Sequence, residues 1–215
     1  MTPGAIEKVL YIAPERLERW LAGFEQRHGR GHVLAGAETV TVDAEDGARA
    51  ECSVPFPPLV VDDDAAYGGL VAHASRARRV GVLLVRRGGH AAGVFDGTTL
   101  VASKVGSRHV QGRTAAGGQS QQRFARRRAK QAREAFEAAA DVAARILVPH
   151  VPDLDAVVTG GDRAAIDSVL TDRRLAAIRD LVTGPLLNVG DPKLTVLKST
   201  PAQFRAVRIR LAEPE

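Results

Sequence analysis

Gln121–Leu147 reads QQRFARRRAKQAREAFEAAADVAARIL. Positions 125, 129, 132, 136, 139, 143 and 146 are Ala, Ala, Ala, Phe, Ala, Ala and Ile. Alternating steps of three and four put these residues on one side of a helix, because an α-helix completes a turn in about 3.6 residues. The pattern predicts one long helix over 121–147. Its apolar stripe is mostly alanine, shallow enough for close packing on a sheet. The arginines crowd the first turns instead, away from that stripe.

The flanking segments supply the sheet. Val80–Arg86 (VGVLLVR) is strongly strand-like, RRGGH turns the chain into Ala91–Phe95, and Asp96-Gly97 is a tight-turn pair leading into Thr99–Val105. These three segments form a meander. Downstream, Asp155–Gly160 (DAVVTG) reads as a short buried strand, and Arg163–Leu170 and Arg173–Val182 as helices. Leu186–Val189 is a further strand candidate. Ala206–Leu211 alternates apolar with arginine, as a half-exposed terminal strand does. Meander, long helix, strand and helix together specify an α/β layer rather than a helical bundle.

The first part of the chain has its own pattern. Pro14–His28 carries Leu17, Trp20, Leu21 and Phe24 at helical spacing, and Gly29 and Gly31 end it. Glu38–Asp43 and Arg49–Pro55, joined through AEDG, read as a hairpin with its turn at Asp46-Gly47. Pro55, Pro57 and Pro58 break the chain. Asp62, Asp63 and Asp64 follow in a polar segment and read as a loop rather than a metal site. The organisation expected is an N-terminal α+β region over 1–70 and a second domain over 78–212.

Composition narrows the functional classes. A single cysteine, Cys52, excludes an internal disulfide and a cysteine-rich zinc site. It falls in a strand-like run and reads as an inert buried thiol. Neither a signal-peptide pattern nor a bilayer-length apolar run is seen, so a cytoplasmic protein with no membrane partner is expected. The net charge of +5 is unevenly spread: from Gly97 to Arg133 there is no Asp or Glu among nine Lys and Arg, leaving 21 basic and 25 acidic residues elsewhere. Such a concentrated segment is the footprint of a polyanion, most often nucleic acid.

Between meander and helix lies a loop, Gly106–Gly118, rich in glycine and small polar residues. Gly112, Gly117 and Gly118 let another backbone approach closely, and Gln119 is presented at the tip. A carboxamide is neither base nor nucleophile, but it can orient a water or substrate through one acceptor and two donors. On these residues alone, a plain surface loop and a positioning tip both remain open.

The segment Gly112–Arg128, GRTAAGGQSQQRFARRR, closely resembles the central-domain motif of the eukaryotic and archaeal class-I peptide-release factors. Gly117, Gly118, Gln119, Ser120, Arg123, Phe124, Ala125 and Arg126 match it residue by residue, and the resemblance runs over about 80–188. It implies a ribonuclease-H-like α/β fold with a Gly-Gly-Gln loop at 106–120. The chain has no recognisable stop-codon-reading motif, and is too short for both a codon-reading domain and one for a GTPase partner. The group it resembles best is the stand-alone actinobacterial type of Vms-like release factor. That resemblance implies ribosome rescue by peptidyl-tRNA hydrolysis on a stalled large (50S) ribosomal subunit, with no cofactor, no metal and no DNA partner. Gln119 would be the catalytic residue, shaped by Gly117 and Gly118. Gln121 and Gln122 are alternates, because in relatives the glutamine can sit one place later. Arg113, Arg123, Arg126, Arg127, Arg128, Lys130 and Arg133 would contact RNA. Two other outcomes stay open: cleavage of the tRNA near its 3′ end, and non-catalytic ribosome binding. His109 reads either as a phosphate contact or as a loop histidine satisfied by its neighbours.

Overall fold

The computed structural model describes residues 6–86, 88–107 and 120–214, the side chains of 120–125 and 128 excepted. The strands are β1 (Ile6–Ile12), β2 (His32–Ala35), β3 (Thr39–Asp43), β4 (Arg49–Ser53), β5 (Arg79–Arg86), β6 (Gly89–Asp96), β7 (Thr99–Ser107), β8 (Ala156–Gly161) and β9 (Val207–Glu213). The helices are α1 (Pro14–His28), α2 (Leu70–Ser75), α3 (Ser120–Leu147), α4 (Arg163–Leu170), α5 (Ala176–Asp180), α6 (Leu194–Ser199) and α7 (Pro201–Phe204). The chain divides into two compact units, one of Met1–Arg76 with Ala202–Glu215 and one of Ala77–Pro201. The protein is mixed α/β, with one sheet in each unit.

In the first unit the strand order is β1-β9-β4-β3-β2, every neighbour antiparallel. Leu17, Leu21 and Phe24 of α1 are buried in the same cluster as Val40, Val42, Ala50, Cys52, Val207 and Ile209. Those sheet residues alternate along their strands, so one register puts all of them on one face. The Asp46-Gly47 turn forms as read: Gly47 has φ 91, and the Asp46 carboxylate accepts from the Ala48 amide at 2.9 Å. Cys52 is fully buried, and burial, aided by the Glu51 charge, pushes its thiol up to about 12. It is a small core hydrophobe, as expected. Asp62 accepts from the Asp64 amide, a turn contact within the polar loop.

The second unit holds the order β7-β6-β5-β8, antiparallel except for the parallel β5–β8 pair. The meander and the crossover through the long helix are as the sequence predicts. One face of this sheet takes α3: Ala139, Ala140, Ala143 and Leu147 cluster with Leu83, Val85, Ala92 and Val94. Ala129, on the same stripe, is exposed, Ala132 and Phe136 are half-buried, and full burial starts at Ala139. The stripe is therefore continuous in sequence and used as core only in its second half.

Several segments differ from their sequence reading. The predicted helix Arg173–Val182 is a 3-10 turn at Arg173–Leu175 followed by the short α5. The Asp172 carboxylate accepts from the Arg174 amide and so caps the start of this turn. Leu186–Val189 does not form a strand; Leu187 makes an isolated parallel bridge to Gly160, its run bounded by Gly184, at φ 75, with Pro185 next to it. Strands β1 and β2 and helices α2, α6 and α7 are not anticipated from the sequence; β2 and the three helices are six residues or fewer. The last strand, grouped with 78–212 on sequence, pairs in register with β1 and β4.

The packing of α3 makes a graded prediction. Ala143→Leu inserts three heavy atoms into a fully buried interface and should destabilise by about 1–3 kcal/mol. Ala129→Leu, on the same stripe but exposed, should change stability by less than about 0.5 kcal/mol. Urea melts of the two variants check the difference.

Candidate nucleic-acid interface

The helix α3 carries two distinct charge regimes. At about 100° per residue, positions 126, 127, 130 and 133 fall within an arc of about 120°, centred roughly 140° from the buried stripe. Arg126, Arg127, Lys130 and Arg133 are all exposed, and Arg133 also borders the α3–α4 groove. Position 123 shares that arc and position 128 does not. Beyond Arg133 the same arc continues with Glu134, Glu137 and Asp141, so one polar face changes sign along its length. Among the described residues, the only ion pair of a cation in 120–133 is Lys130 to Glu134, at 3.9 Å. An exposed i,i+4 pair at that separation offsets little charge. Arg126 and Arg127 thus present their guanidinium groups to solvent.

This arrangement runs against the helix macrodipole. A helix N-terminus carries about half a positive elementary charge and favours acids in its first turn; α3 has none there. Stacked arginines at that end repel one another and the dipole, and an incoming phosphate chain removes both penalties. A local preference overridden in this way marks a surface built for a partner.

The acidic half of the helix is fixed in place. The Arg174 Nη1 donates to Asp141 Oδ1 at 2.8 Å, and Arg174 also donates to both oxygens of Asp172, at 3.0 and 2.7 Å. Hydrogen bonds from the Arg174 side chain and backbone lower Asp172 to about 2, and the side-chain bonds to Asp172 and Asp141 raise Arg174 above its ordinary value. The bridge ties α3 to the turn after α4, where neither α3 nor α4 alone would locate it. Sequence reasoning does not find it, since Asp141 and Arg174 are far apart in the chain and neither belongs to a motif.

Of the sequence-predicted site residues, Arg126, Arg127, Lys130 and Arg133 lie together along the arc. Gln121, Gln122, Arg123 and Arg128 are in the first turns of α3, their side chains outside the described residues. Gly117, Gly118, Gln119, Arg113 and His109 lie outside the described residues altogether. What the coordinates place is the root of the candidate loop: it leaves the end of β7 at Ser107 and re-enters at Ser120, the first residue of α3. Gly106 sits at that root because a Cβ there would lie 2.3 Å from the Nε2 of buried His90.

The family comparison gives the class that the segment 112–128 resembles. Residues 78–210 match the family model described as Actinobacteria/chloroflexi VLRF1 release factor, and the chain belongs to that family. No curated protein matches. Among solved structures the chain is similar to an archaeal translation termination factor, aRF1, at 16% identity and TM-score 0.40, over 95% of this chain and 68% of that one. It is also similar to a structure titled "Vms1 mitochondrial localization core", at 9% identity and TM-score 0.45, over 90% of this chain and 80% of that one.

Two measurements test this surface. Arg126→Ala with Arg127→Ala should weaken RNA binding for all sequences and reduce the slope of log K against log salt by about 0.7 for each phosphate no longer neutralised. A filter-binding salt series reads both numbers. Separately, the depressed Asp172 contributes stability that is present above its unfolded value near 3.8 and lost as pH falls through about 2. Asp172→Asn should remove that acid limb and, because the pair is screened by solvent, cost only about 0.5–1 kcal/mol at pH 7; thermal melts from pH 2 to 7 follow it.

Proposed function

We propose that this protein releases nascent chains from peptidyl-tRNA on stalled large ribosomal subunits, in the cytoplasm and without a cofactor. The reading rests on membership of the release-factor family together with the residue-by-residue match of Gly117, Gly118, Gln119 and the Arg-Phe-Ala-Arg segment after them. The observation that carries it is the cationic arc of Arg126, Arg127, Lys130 and Arg133, free of acids over its own length and following the loop closely in sequence.

The division of labour follows from the chemistry of each part. The arc binds ribosomal and tRNA phosphates, which neutralises the charge crowded at the helix N-terminus. The loop enters the peptidyl-transferase centre, where Gly117 and Gly118 permit the close approach of RNA that a Cβ would prevent. Gln119 then orients a water against the ester carbonyl that joins the peptide to the tRNA 3′ end. Attack forms the new carbon–oxygen bond, the ester carbon–oxygen bond breaks, and the proton of the water ends on the departing ribose oxygen. A carboxamide supplies no proton at neutral pH, so its contribution is alignment, with the ribosomal RNA completing the site.

Alanine at Gln119 should lower single-turnover release by about 100-fold or more, the scale of a misplaced reactant, while leaving subunit binding unchanged. Proline at Gly118 should do the same by removing the conformation glycine allows. Peptide release from stalled subunit complexes, measured beside co-sedimentation, checks both. Full release by the triple variant Gln119→Ala, Gln121→Ala and Gln122→Ala would eliminate any role for these amides.

A further inference from the structure

Beside the cationic arc, an open groove of about 440 Å3 runs between α3 and the C-terminal end of α4. Ligand pockets, mostly apolar with a few placed polar groups, span about 300 to 1,000 Å3. Ala132, Phe136 and Val169 are among its apolar lining residues, and Arg133, Glu137 and Asp172 among its polar ones. At about 100° per residue, position 133 lies on α3 between the groove side and the arc of Arg126, Arg127 and Lys130. Arg133 therefore belongs to both surfaces.

The chemistry of this lining is specific. Alanine at 132 keeps one wall low, and half-buried Phe136 contributes an aromatic ring. Asp172 already accepts two side-chain bonds from Arg174. Glu137 is exposed and has no cationic partner among the described residues. A free carboxylate next to a cationic ridge is misplaced for phosphate, which it repels. It suits a donor edge carried by the same polyanion. Nucleobases stack on aromatic rings, and the exocyclic amines of adenine and cytosine donate to carboxylates, whereas uracil has no such amine.

We propose that this groove receives an unstacked, amino-bearing nucleobase of the RNA whose phosphates lie along the arc. The base lies against Phe136, its amino group donates to Glu137, and the adjoining phosphate meets Arg133. The inference rests on the reading of the arc as an RNA surface and extends it from phosphate binding to base selection.

Fluorescence anisotropy of the full chain with short labelled oligoadenylate, oligocytidylate and oligouridylate tests it. Oligoadenylate and oligocytidylate should bind about tenfold more tightly than oligouridylate, the scale of one good base contact. Glu137→Gln should shrink that preference several-fold, leaving thermal melting and the salt slope unchanged. Ala132→Leu, which fills the groove, should bring all three RNAs to the oligouridylate affinity. Equal affinities for the three RNAs in the unaltered protein, with a normal salt slope, would overturn the groove assignment and leave the arc standing. A preference that survives Glu137→Gln intact would also overturn it. Absence of salt-dependent binding to any of the RNAs would overturn both.

Discussion

The close seating of an alanine face on a mixed sheet is the constraint on which the second unit depends. Ala139, Ala140 and Ala143 give α3 almost no side-chain depth where it meets β5 and β6, so the helix can be fixed by backbone proximity rather than by interlocking large groups. Leu147 and the Arg174 bridge to Asp141 then hold its far end. This leaves the earlier turns free to carry charge.

Electrostatics follow from that division. The buried half of α3 is accompanied by Glu134, Glu137 and Asp141 on its polar face, and the exposed half by arginine and lysine. The result is a helix whose first turns oppose its own dipole, while Arg145 in the last turn agrees with it. Such a conflict is tolerable because the tertiary packing of the C-terminal half, not the intrinsic preference of the N-terminal turns, keeps the helix formed. In the proposed function, phosphate binding relieves that conflict only in the bound state, so the stability of the stem would be coupled to the presence of RNA.

Much of this is legible in the sequence where one physical signal dominates. The stripe of Gln121–Leu147 announces a long helix, and the paired Asp46-Gly47 and Asp96-Gly97 turns announce the hairpins. The absence of acids from 97–133 announces a cationic segment, and the Gly-Gly-Gln tip with its Arg-Phe-Ala-Arg follower announces the release-factor class. The less legible parts depend on distant partners. Nothing within Ile6–Ile12 says that it will pair with the last strand. The alternation of Val207, Ile209 and Leu211 shows a half-buried strand but not the sheet that buries it. The segment 173–182 reads as one helix, whereas it forms a capped 3-10 turn followed by the short α5. The same stripe that reveals α3 hides the fact that burial begins only in its second half, since Ala129 and Ala143 are identical as letters and opposite in exposure. The α3–α4 groove is invisible for the same reason: it needs Val169 and Phe136 side by side.

The central claim is that a cationic helix delivers a carboxamide to a ribosomal site where an ester, not a phosphodiester, is broken. The most direct test is incubation with stalled large subunits carrying radiolabelled peptidyl-tRNA, followed by analysis of the tRNA 3′ end alongside the peptide. The account predicts free peptide together with tRNA whose terminal CCA is complete and can be charged again. Peptide freed with a shortened tRNA, or a peptide that stays attached despite saturating protein, would contradict it.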